Sequence, residues 1–490
     1  MKILLASMEA AIANNMNTYA GGLGVLVGDK LKAAKDLKLK LDAVTFSYPK
    51  GYAAHKIEDD KIIVTEKKWN PKRKTKSLGK SEVKTPFGKV EYELLKGDNF
   101  FLIHAPEFAN RLYIEYSNQE RLKKEVILGE VAARVAQEKK YNILHMEESH
   151  AAFGGEALKR DKRKQKIVFT THTPLPHGHE VWEGDFVKEI TGMDSVSMTK
   201  LALKNANYVN CVSKMQQRIL NGFLDNRSDY ITNGVHIEWM AKKLQTLLKS
   251  CVGDMRKSPE KLVEAVCMDA REFSDKKAEL NLKLIEKVNK EAYAPKDFVA
   301  GDFTIGIARR FTGYKRLDMI LREWDMLESL AHEKPIQIIY SGTAHPSDRQ
   351  GINQIEMVLK RAKESKHVRI AYIPNYDMDI AKTLISGSHA WINVPNEEGE
   401  ASGTSWMKAM MNGTLLIGTA AGSVPEYAVD KQNSLIIPRG YDDYQAKALL
   451  GQIKYAQNHN ILDMQKHAIA TSAHLTAKRM MGEYVSRAYA

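Results

Sequence analysis

The stretch HAWINVPNEEGEASGTSWMKAMMNGTLLIGT (389–419) contains the unit from which the fold can be worked out. A buried strand is predicted over 389–394, followed by a loop with Gly399 and Gly403. A short helix, SWMKAMM, leads to a second strand over 414–418. Strand and helix in alternation are typical of parallel sheets with crossover helices, so we expect an α/β fold.

The short helix of this unit carries Lys408 close to the glycine-rich loop. Thr404 or Ser405 is expected to cap the helix, which should end at Asn412-Gly413. A helix N-terminus presents N–H groups and a partial positive charge, so an anion could bind there. An ordinary strand–turn–helix unit with a solvated lysine would have the same pattern, and this segment alone leaves both interpretations open.

The alternation continues along most of the chain. Strands are predicted over 1–6, 41–47, 166–170, 208–212, 303–307, 336–341 and 368–373, and a helix over 28–37. The region 237–292 is predicted to be helical without a strand, and helices are expected again from 446 to the end. We predict an N-terminal α/β domain over 1–297, a C-terminal α/β domain over 298–470, and a helix over 471–490 that returns to the N-terminal domain.

Composition excludes several classes of protein. With 43% apolar residues, the 490-residue chain is neither collagenous nor largely disordered. Its three cysteines, Cys211, Cys251 and Cys267, are too widely spaced for a disulfide framework or a structural zinc site, which favours a reducing cytoplasm. We see no signal peptide and no apolar run long enough to span a bilayer, and therefore expect a cytoplasmic protein.

The formal net charge of +13 favours anionic partners in general. Two basic clusters, 67–84 and 159–166, carry much of it, and we interpret them as solvated loops or helix faces. Neither has the interleaved aromatic residues of a nucleic-acid platform. No nucleic-acid or membrane partner is expected.

Two further segments suggest a phosphate-binding cleft. In TIGIARRFTGYKR (304–316), Arg309, Arg310 and Lys315 follow a strand directly, where ligands of open α/β sheets bind. In YAGGLG (19–24), a second glycine-rich turn opens onto a helix. Solvated basic residues and a tight turn would explain each segment equally well, but the two together favour a two-domain transferase.

These segments resemble the α-glucan phosphorylases, the glycogen and maltodextrin phosphorylase family. EASGTSWMKAMMNGTLLIGT (400–419) is similar to the family's pyridoxal-phosphate lysine motif, and TIGIARRFTGYKR to its phosphate-binding stretch. Other blocks follow in the family's order: NTYAGGLGVLVGDKLKAAKDL (17–37), HMEESHAAF (145–153), FTTHTPLPHGHEVW (169–182), ITNGVH (231–236), SGTAHP (341–346) and IPNYDMDIA (373–381). The length resembles that of the smaller archaeal and bacterial members rather than the large allosterically regulated ones.

The resemblance implies a GT-B glycosyltransferase architecture, in which two Rossmann-like domains face each other across a cleft. It implies retaining phosphorolysis of an α-1,4-glucan by inorganic phosphate, giving α-glucose 1-phosphate, and it suggests a homodimer. Pyridoxal 5'-phosphate would be the cofactor, its phosphate doing the acid–base work. An ordinary glycosidase would instead need two carboxylates across the scissile bond.

The resemblance also assigns residues. Lys408 would hold pyridoxal phosphate as a Schiff base, and Arg310, Lys315 and His172 join it as the residues expected to act in catalysis. The residues expected to bind the cofactor besides Lys408 are Arg309, Lys315, Thr404, Ser405 and Tyr376. Those expected to bind sugar or substrate phosphate are Gly22, Leu23, Gly24, His172, Arg310, Glu400, Ser402 and Gly403. The histidines of HTPLPHGH lack a zinc-site spacing, and no metal is expected.

Two other functions remain open. Retaining nucleotide-sugar transferases such as glycogen synthase typically carry two glutamates eight positions apart here, but eight residues after Glu400 this chain has Lys408, which can form a Schiff base. The other is a catalytically silent glucan- or nucleic-acid-binding protein. Departures from the family pattern, at Thr343, Glu147, Gln216 and Trp406, leave the acceptor length and the glucan itself open.

Overall fold

A computed structural model describes the whole chain, Met1–Ala490. Its strands are β1 Lys2–Ala6, β2 Lys40–Phe46, β3 Ala53–Glu58, β4 Lys61–Glu66, β5 Lys76–Thr85, β6 Gly88–Lys96, β7 Phe100–His104, β8 Ile143–Glu147, β9 Lys166–Thr170, β10 Val181–Glu183, β11 Ser195–Ser197, β12 Tyr208–Cys211, β13 Ser228–Tyr230, β14 Phe303–Ala308, β15 Ile336–Ser341, β16 Arg369–Ile373, β17 Ala390–Asn393, β18 Leu415–Thr419 and β19 Ser434–Ile437.

The helices are α1 Gly22–Asp36, α2 Asn118–Glu138, α3 Ala152–Arg160, α4 Asp185–Thr191, α5 Met198–Asn205, α6 Lys214–Leu220, α7 Lys242–Val252, α8 Ala270–Glu291, α9 Met319–Arg322, α10 Trp324–Glu333, α11 Arg349–Glu364, α12 Met378–Gly387, α13 Ser405–Met410, α14 Val424–Tyr427, α15 Asp442–Asn458, α16 Leu462–Thr471 and α17 Ala477–Glu483. A π-helical turn, Tyr484–Ala488, follows α17. None of the helices combines the length and the apolarity needed to cross a membrane.

The chain forms two compact units. Unit 1 comprises Met1–Tyr52, Glu66–Asn233 and Ala477–Ala490, and unit 2 comprises Ala53–Thr65 and Gly234–Thr476. The predicted boundary near residue 297 differs from the division after Asn233. The reason is the packing of α8 on α12, which is so close that a Cβ on Gly387 would lie 2.5 Å from Leu284 Cβ.

Unit 2 is built on a six-stranded parallel sheet in the order β16-β15-β14-β17-β18-β19. Numbered in chain order within this sheet, this is the 3-2-1-4-5-6 order of a Rossmann fold. The strand order reverses between β14 and β17, so the loops after these two strands form the crevice where ligands of such sheets bind.

Unit 1 contains a nine-stranded sheet in the order β13-β12-β9-β8-β1-β2-β7-β6-β5. Its strands from β13 to β7 are parallel, and β6 and β5 add an antiparallel edge. The order reverses between β1 and β8. Alternate residues of β1 enter different cores, Leu4 and Ala6 on one face and Ile3 and Leu5 on the other, so the sheet is covered on both faces.

The α/β class and the two Rossmann-like sheets are confirmed. Two local predictions were wrong. The basic segment 67–84, predicted as loop or helix face, includes most of the exposed edge strand β5. The helix predicted over 28–37 begins at Gly22, so the GGLG segment, predicted as a turn, lies mostly inside α1.

Candidate active site

The loop after β14 carries the three cationic residues predicted to bind phosphate groups. Arg309 is half-buried, and its backbone N–H donates to the carbonyl of Ser341 at the end of the adjacent strand, 3.2 Å away. Arg310 is exposed. Lys315 is the last residue of a 3-10 turn, Gly313–Lys315. The topology thus brings these charges to the switch point of unit 2.

Lys408 lies in α13, which follows the glycine-rich loop after β17. The residue is 7% exposed, and its Nζ lies 4.1 Å from the centre of the Trp239 ring. Asn412 closes the helix behind it, donating from Nδ2 to the carbonyls of Lys408 and Trp239 at 2.8 and 2.9 Å. The amine is therefore held over an aromatic face rather than exposed to solvent.

Glu400 joins the loop to the cations. Its carboxylate accepts from Lys315 Nζ, and Arg309 Nη1 lies 3.7 Å from the same oxygen. Burial alone would raise the pKa of Glu400, but Lys315, Arg309 and Arg310 outweigh that effect and lower it. Three cations thus surround one carboxylate, and the cluster keeps a positive charge.

The cluster has room in its hydrogen bonding for a phosphate. Arg309 Nη1 is buried and has no hydrogen-bond partner, although burying an unsatisfied donor is unfavourable. Close by, a Cβ on Gly403 would come within 3.3 Å of Arg309 Nη2, so a side chain at this position would crowd the guanidinium. A buried donor without a partner in a cluster of positive charge, with Lys408 on the helix that follows the same loop, fits an anionic cofactor that also needs an amine.

The expected side-chain cap of α13 is absent. Thr404 occupies the N-cap position but makes no side-chain hydrogen bond to the helix. Ser405 Oγ instead accepts from Trp391 Nε1 at 3.3 Å and from Arg309 Nη2 at 3.4 Å. The hydroxyl therefore orients Arg309 instead of closing the helix end.

The remaining predicted residues of unit 2 lie on neighbouring loops. Ser402 Oγ is 2.7 Å from Ser423 Oγ, so its side chain fixes the loop. Tyr376 is half-buried in the loop after β16, next to Asn375, whose side chain accepts from the backbone N–H of His55 at 2.8 Å. The contacts in unit 2 join five of the predicted residues directly: Arg309, Lys315, Glu400, Gly403 and Ser405.

In unit 1, Gly24 of the GGLG segment and Gly28 allow α1 to pack closely. A Cβ on Gly24 would lie 2.8 Å from Glu9 Oε2, and one on Gly28 would lie 2.2 Å from the carbonyl oxygen of Ala11. Glu9 accepts from the backbone N–H groups of Ala20 and Gly21, at 2.7 and 3.0 Å. The N–H groups of Gly22, Leu23 and Gly24 follow in the first turn, where a helix offers no internal acceptor.

His172 lies after β9 and is held by two carboxylates from the end of β8. Its Nε2 donates to Glu147 Oε2 at 2.8 Å, and its backbone N–H donates to Glu148 Oε2 at 2.7 Å. Gln216, a departure from the family pattern, donates from Nε2 to the carbonyls of Thr171 and Thr173 on either side. With Nε2 committed to Glu147, the ring has Nδ1 left for a ligand.

Glu147 is fully buried and forms an ion pair with the fully buried Lys30 of α1. Burial would raise the pKa of Glu147, but Lys30, His145 and His172 lower it. Tyr484, in the C-terminal turn, accepts from Lys30 Nζ at 3.2 Å. Glu147 stands where the family commonly has asparagine, and Lys30 of the same unit balances its negative charge.

Sequence reasoning missed three residues that contact the predicted site residues or their partners: Trp239, Asn412 and Lys30. Asn412 was placed only as the end of a helix, and Lys30 only within a motif. Trp239 lies in the segment 237–292, where no motif was found. The contact of Trp239 with Lys408 joins residues far apart in sequence, which a local pattern cannot indicate.

The histidines of HTPLPHGH do not form a metal cluster with one another. His179 Nδ1 bonds to Thr199 Oγ1 at 2.7 Å, and His177 is exposed. Glu125, His150 and Glu180 offer ligand atoms within 4.8 Å of one another. Arg121 already pairs with both carboxylates there, so a guanidinium takes the place a metal ion would need.

Comparison with known proteins gives two family matches. Residues 183–458 match the carbohydrate phosphorylase model, and residues 2–231 match the starch synthase catalytic domain model. Both are glycosyltransferase-type domains, consistent with a GT-B architecture.

Relatives cover most of the chain. A glycogen phosphorylase of Aquifex aeolicus is 30% identical over 86% of this chain and 74% of its own length. A maltodextrin phosphorylase of Thermococcus litoralis is 28% identical over 99% of this chain and 70% of its own length, and a glycogen phosphorylase of Mycobacterium tuberculosis is 27% identical over the same shares. With more than half of its residues matched by the phosphorylase model, the chain belongs to the carbohydrate phosphorylase family.

Proposed function

We propose that the protein is an α-1,4-glucan phosphorylase that transfers the terminal glucose of glycogen or maltodextrin to inorganic phosphate. The products are a shortened glucan and α-glucose 1-phosphate, with the anomeric configuration retained. Membership of the family and relatives named glycogen and maltodextrin phosphorylase support this function.

One observation carries the proposal: the buried Nη1 of Arg309 has no partner within a cluster of positive charge, and the same guanidinium bonds to Ser405, the first residue of the helix that carries Lys408. An unsatisfied buried donor is unfavourable unless a ligand completes it. Pyridoxal 5'-phosphate fits this arrangement, because its aldehyde can react with the amine of Lys408 and its phosphate can bind the cations.

The residues of unit 2 divide the work of binding. Lys408 would hold the cofactor covalently through Nζ, and Arg309 and Lys315 would bind its phosphate with backbone N–H groups at Thr404 and Ser405. Arg310 would bind the substrate phosphate, and Tyr376 would line the cofactor site. Glu400, ionised because its pKa is lowered, would accept from sugar hydroxyls once phosphate competes for Lys315.

When bound, the cofactor would supply a phosphate able to exchange a proton with the substrate phosphate. Like charges this close repel each other, so the arginine and lysine side chains must neutralise them. Electrostatic stabilisation of this kind by fixed charges is typically the largest contribution an active site makes. No carboxylate pair is then required at the scissile bond.

We assign His172, Gly22, Leu23 and Gly24 of unit 1 to the sugar and substrate phosphate. Glu147 fixes the imidazole through Nε2, Glu148 fixes the backbone of His172, and Nδ1 is left to bind a hydroxyl. The cytoplasmic location, the homodimer and the absence of nucleic-acid and membrane partners stay predictions.

The test is a glucose 1-phosphate assay with maltodextrin, with and without inorganic phosphate. We expect phosphate-dependent release of glucose 1-phosphate, abolished in Lys408→Ala, while Arg310→Ala raises the KM for phosphate most. Unchanged phosphate dependence in Arg310→Ala would show that our phosphate assignment is wrong.

A nucleotide-sugar glucosyltransferase is the second candidate, because the starch synthase model matches residues 2–231. Lys408 stands where such enzymes typically place the second glutamate. Transfer from UDP- or ADP-glucose, with none from glucose 1-phosphate, would favour this candidate over the phosphorylase.

A further inference from the structure

Lys277, on α8 of unit 2, is a buried lysine that meets only uncharged acceptors. Its Nζ donates to the carbonyls of Ser386, Ser388 and Asn412 at 2.7, 3.2 and 3.1 Å, and to Thr414 Oγ1 at 3.0 Å. The residue is 7% exposed and no carboxylate pairs with it. A lysine is rarely buried without a counter-charge, because desolvating the ammonium is unfavourable.

The four acceptors belong to two separate connections of unit 2. Ser386 and Ser388 lie at the end of α12 and just before β17, whereas Asn412 and Thr414 flank the turn that ends the helix of Lys408. That turn contains Gly413 at φ 63°, in the left-handed region that favours glycine. Lys277 therefore ties the turn behind α13 to the neighbouring α12–β17 connection.

A second residue of α8 supports the same turn. A Cβ on Gly413 would come within 2.7 Å of Phe273 Cζ, so Phe273 packs directly against the backbone of the turn. Phe273 and Lys277 are four residues apart and lie on one face of α8. One face of this helix thus holds the turn by packing and by hydrogen bonds.

Asn412 passes this constraint on to Lys408. The carbonyl of Asn412 accepts from Lys277, and its Nδ2 donates to the carbonyls of Lys408 and Trp239. Its Oδ1 accepts from the backbone N–H of Ala241 at 2.8 Å. The residue therefore joins three elements: α8, the segment with Trp239, and the helix that presents the amine.

We propose that Lys277 is a positioning residue for Lys408, which fixes the Asn412–Thr414 turn and thereby the placement of the cofactor amine. The proposal rests on the proposed function for its meaning in catalysis. It assigns a role to a lysine in a segment where sequence reasoning found no motif. Because Lys277 acts through Asn412, it needs no contact with substrate or cofactor.

The test uses Lys277→Met, with Lys283→Met as the matched control, since Lys283 is an exposed lysine on the same helix. Pyridoxal phosphate is titrated onto each cofactor-free enzyme and followed by its absorbance. We expect about tenfold weaker cofactor binding in Lys277→Met, which corresponds to a loss of about 1.4 kcal/mol of hydrogen bonding, and wild-type binding in Lys283→Met.

A readout independent of the cofactor accompanies the titration. Hydrogen–deuterium exchange of the cofactor-free protein should speed up in the peptide covering 405–415 in Lys277→Met, and not in Lys283→Met. Loaded Lys277→Met should show a lower kcat with a KM for phosphate close to that of the wild type, as expected for a misplaced cofactor rather than a lost substrate contact.

Thr414→Val keeps the test decisive should Lys277→Met fail to fold, since it removes one acceptor and leaves the lysine. The same hydroxyl also donates to the carbonyls of Ile385 and Ser388, so we expect at least a two- to threefold loss of cofactor affinity. Wild-type cofactor affinity and exchange in a folded Lys277→Met, or in Thr414→Val where Lys277→Met does not fold, would overturn the proposal. If the wild type itself takes up no cofactor on Lys408, the proposed function fails instead.

Discussion

Each unit buries a lysine behind a side chain assigned to the site, and the two lysines are held in opposite ways. Lys30 of unit 1 pairs with the buried carboxylate of Glu147, whereas Lys277 of unit 2 has only carbonyl and hydroxyl acceptors. Burial lowers the pKa of both amines. For Lys30, Glu147 and Tyr484 outweigh burial and raise the pKa, but for Lys277, which has no carboxylate partner, burial dominates and the pKa falls to about 7.

The comparison shows that what surrounds a buried lysine, and not burial alone, decides its charge. A carboxylate keeps Lys30 charged throughout the physiological range, so it holds Glu147 ionised beneath His172. Lys277 has no such partner, and its hold on the turn behind Lys408 relies on the geometry of its four acceptors. Substitutions that remove one of these lysines or one of its partners should therefore change stability in different ways.

The largest effect is expected for Glu147→Leu, which leaves Lys30 buried without a counter-charge. Breaking a buried ion pair on one side typically destabilises a protein by about 3–5 kcal/mol, because the remaining charge is uncompensated. Urea unfolding followed by circular dichroism measures the free energy of unfolding.

The control is the double variant Lys30→Met/Glu147→Leu, which replaces the pair by apolar side chains. Such replacements are often neutral or stabilising, so we expect the double variant to recover most of the loss. A Glu147→Leu protein as stable as the wild type would contradict the comparison, since Lys30 would then tolerate the surroundings of Lys277.

A pH-dependent effect is expected next, in the comparison of the wild type with Lys277→Met. Between the folded-state pKa of about 7 and the ordinary value of 10.5, the unfolded chain binds a proton at Lys277 that the folded protein does not. The wild type's free energy of unfolding should therefore rise relative to Lys277→Met by about 1.4 kcal/mol per pH unit in this window.

Below pH 7 the difference should level off, because Lys277 is protonated in both states. His389, which lies near Lys277, has a pKa lowered to about 4 by burial and by the charge of Lys277, so it does not titrate in this window. For Lys30 the sign is opposite: its stabilisation persists at neutral pH and is lost only as pH rises through its raised pKa. Parallel pH profiles for wild type and Lys277→Met would contradict the assignment.

The smallest effect is expected for Tyr484→Phe, which sharpens the account of Lys30 without removing the ion pair. The hydroxyl accepts from Lys30 Nζ and from Asn210 Nδ2, at 3.2 and 3.1 Å, and the ring centre lies 4.2 Å from Nζ. Removing the hydroxyl alone should cost about 1 kcal/mol, because the ring contact remains.

Tyr489→Phe serves as the control, since that hydroxyl bonds to His145 Nδ1 and not to Lys30. Any change in the pKa of Lys30, followed by the pH dependence of unfolding, should appear in Tyr484→Phe and be absent from Tyr489→Phe. A change in Tyr489→Phe and none in Tyr484→Phe would show that the Tyr484 hydroxyl does not stabilise the charge of Lys30.

Much of the sheet framework could be predicted because buried parallel strands are short apolar runs. The segments 166–170 and 336–341 have the bounds of β9 and β15. The edge strand β5 was missed because its exposed, lysine-rich sequence, KSLGKSEVKT, has no apolar run. The start of α1 was misplaced because its glycines serve close packing on Glu9 and Ala11, a reason visible only in three dimensions.

The candidate site divides in the same way. Arg309 and Lys315 lie in the loop after β14, and Lys408 lies in the helix that follows the loop after β17, where pattern and topology both indicate a ligand. The resemblance assigned their roles. Lys277 and Trp239 support Lys408 from a helical region that has no motif of its own. Since their contacts with the turn and the amine join distant parts of the sequence, only the folded structure could reveal them.

The central claim is that the Nζ of Lys408 carries vitamin B6 phosphate, and borohydride reduction of the purified protein followed by peptide mapping tests it directly. The predicted result is one pyridoxyl group per chain, on Lys408. A protein that is fully active in phosphorolysis without the cofactor, or a label on another lysine, would contradict the account.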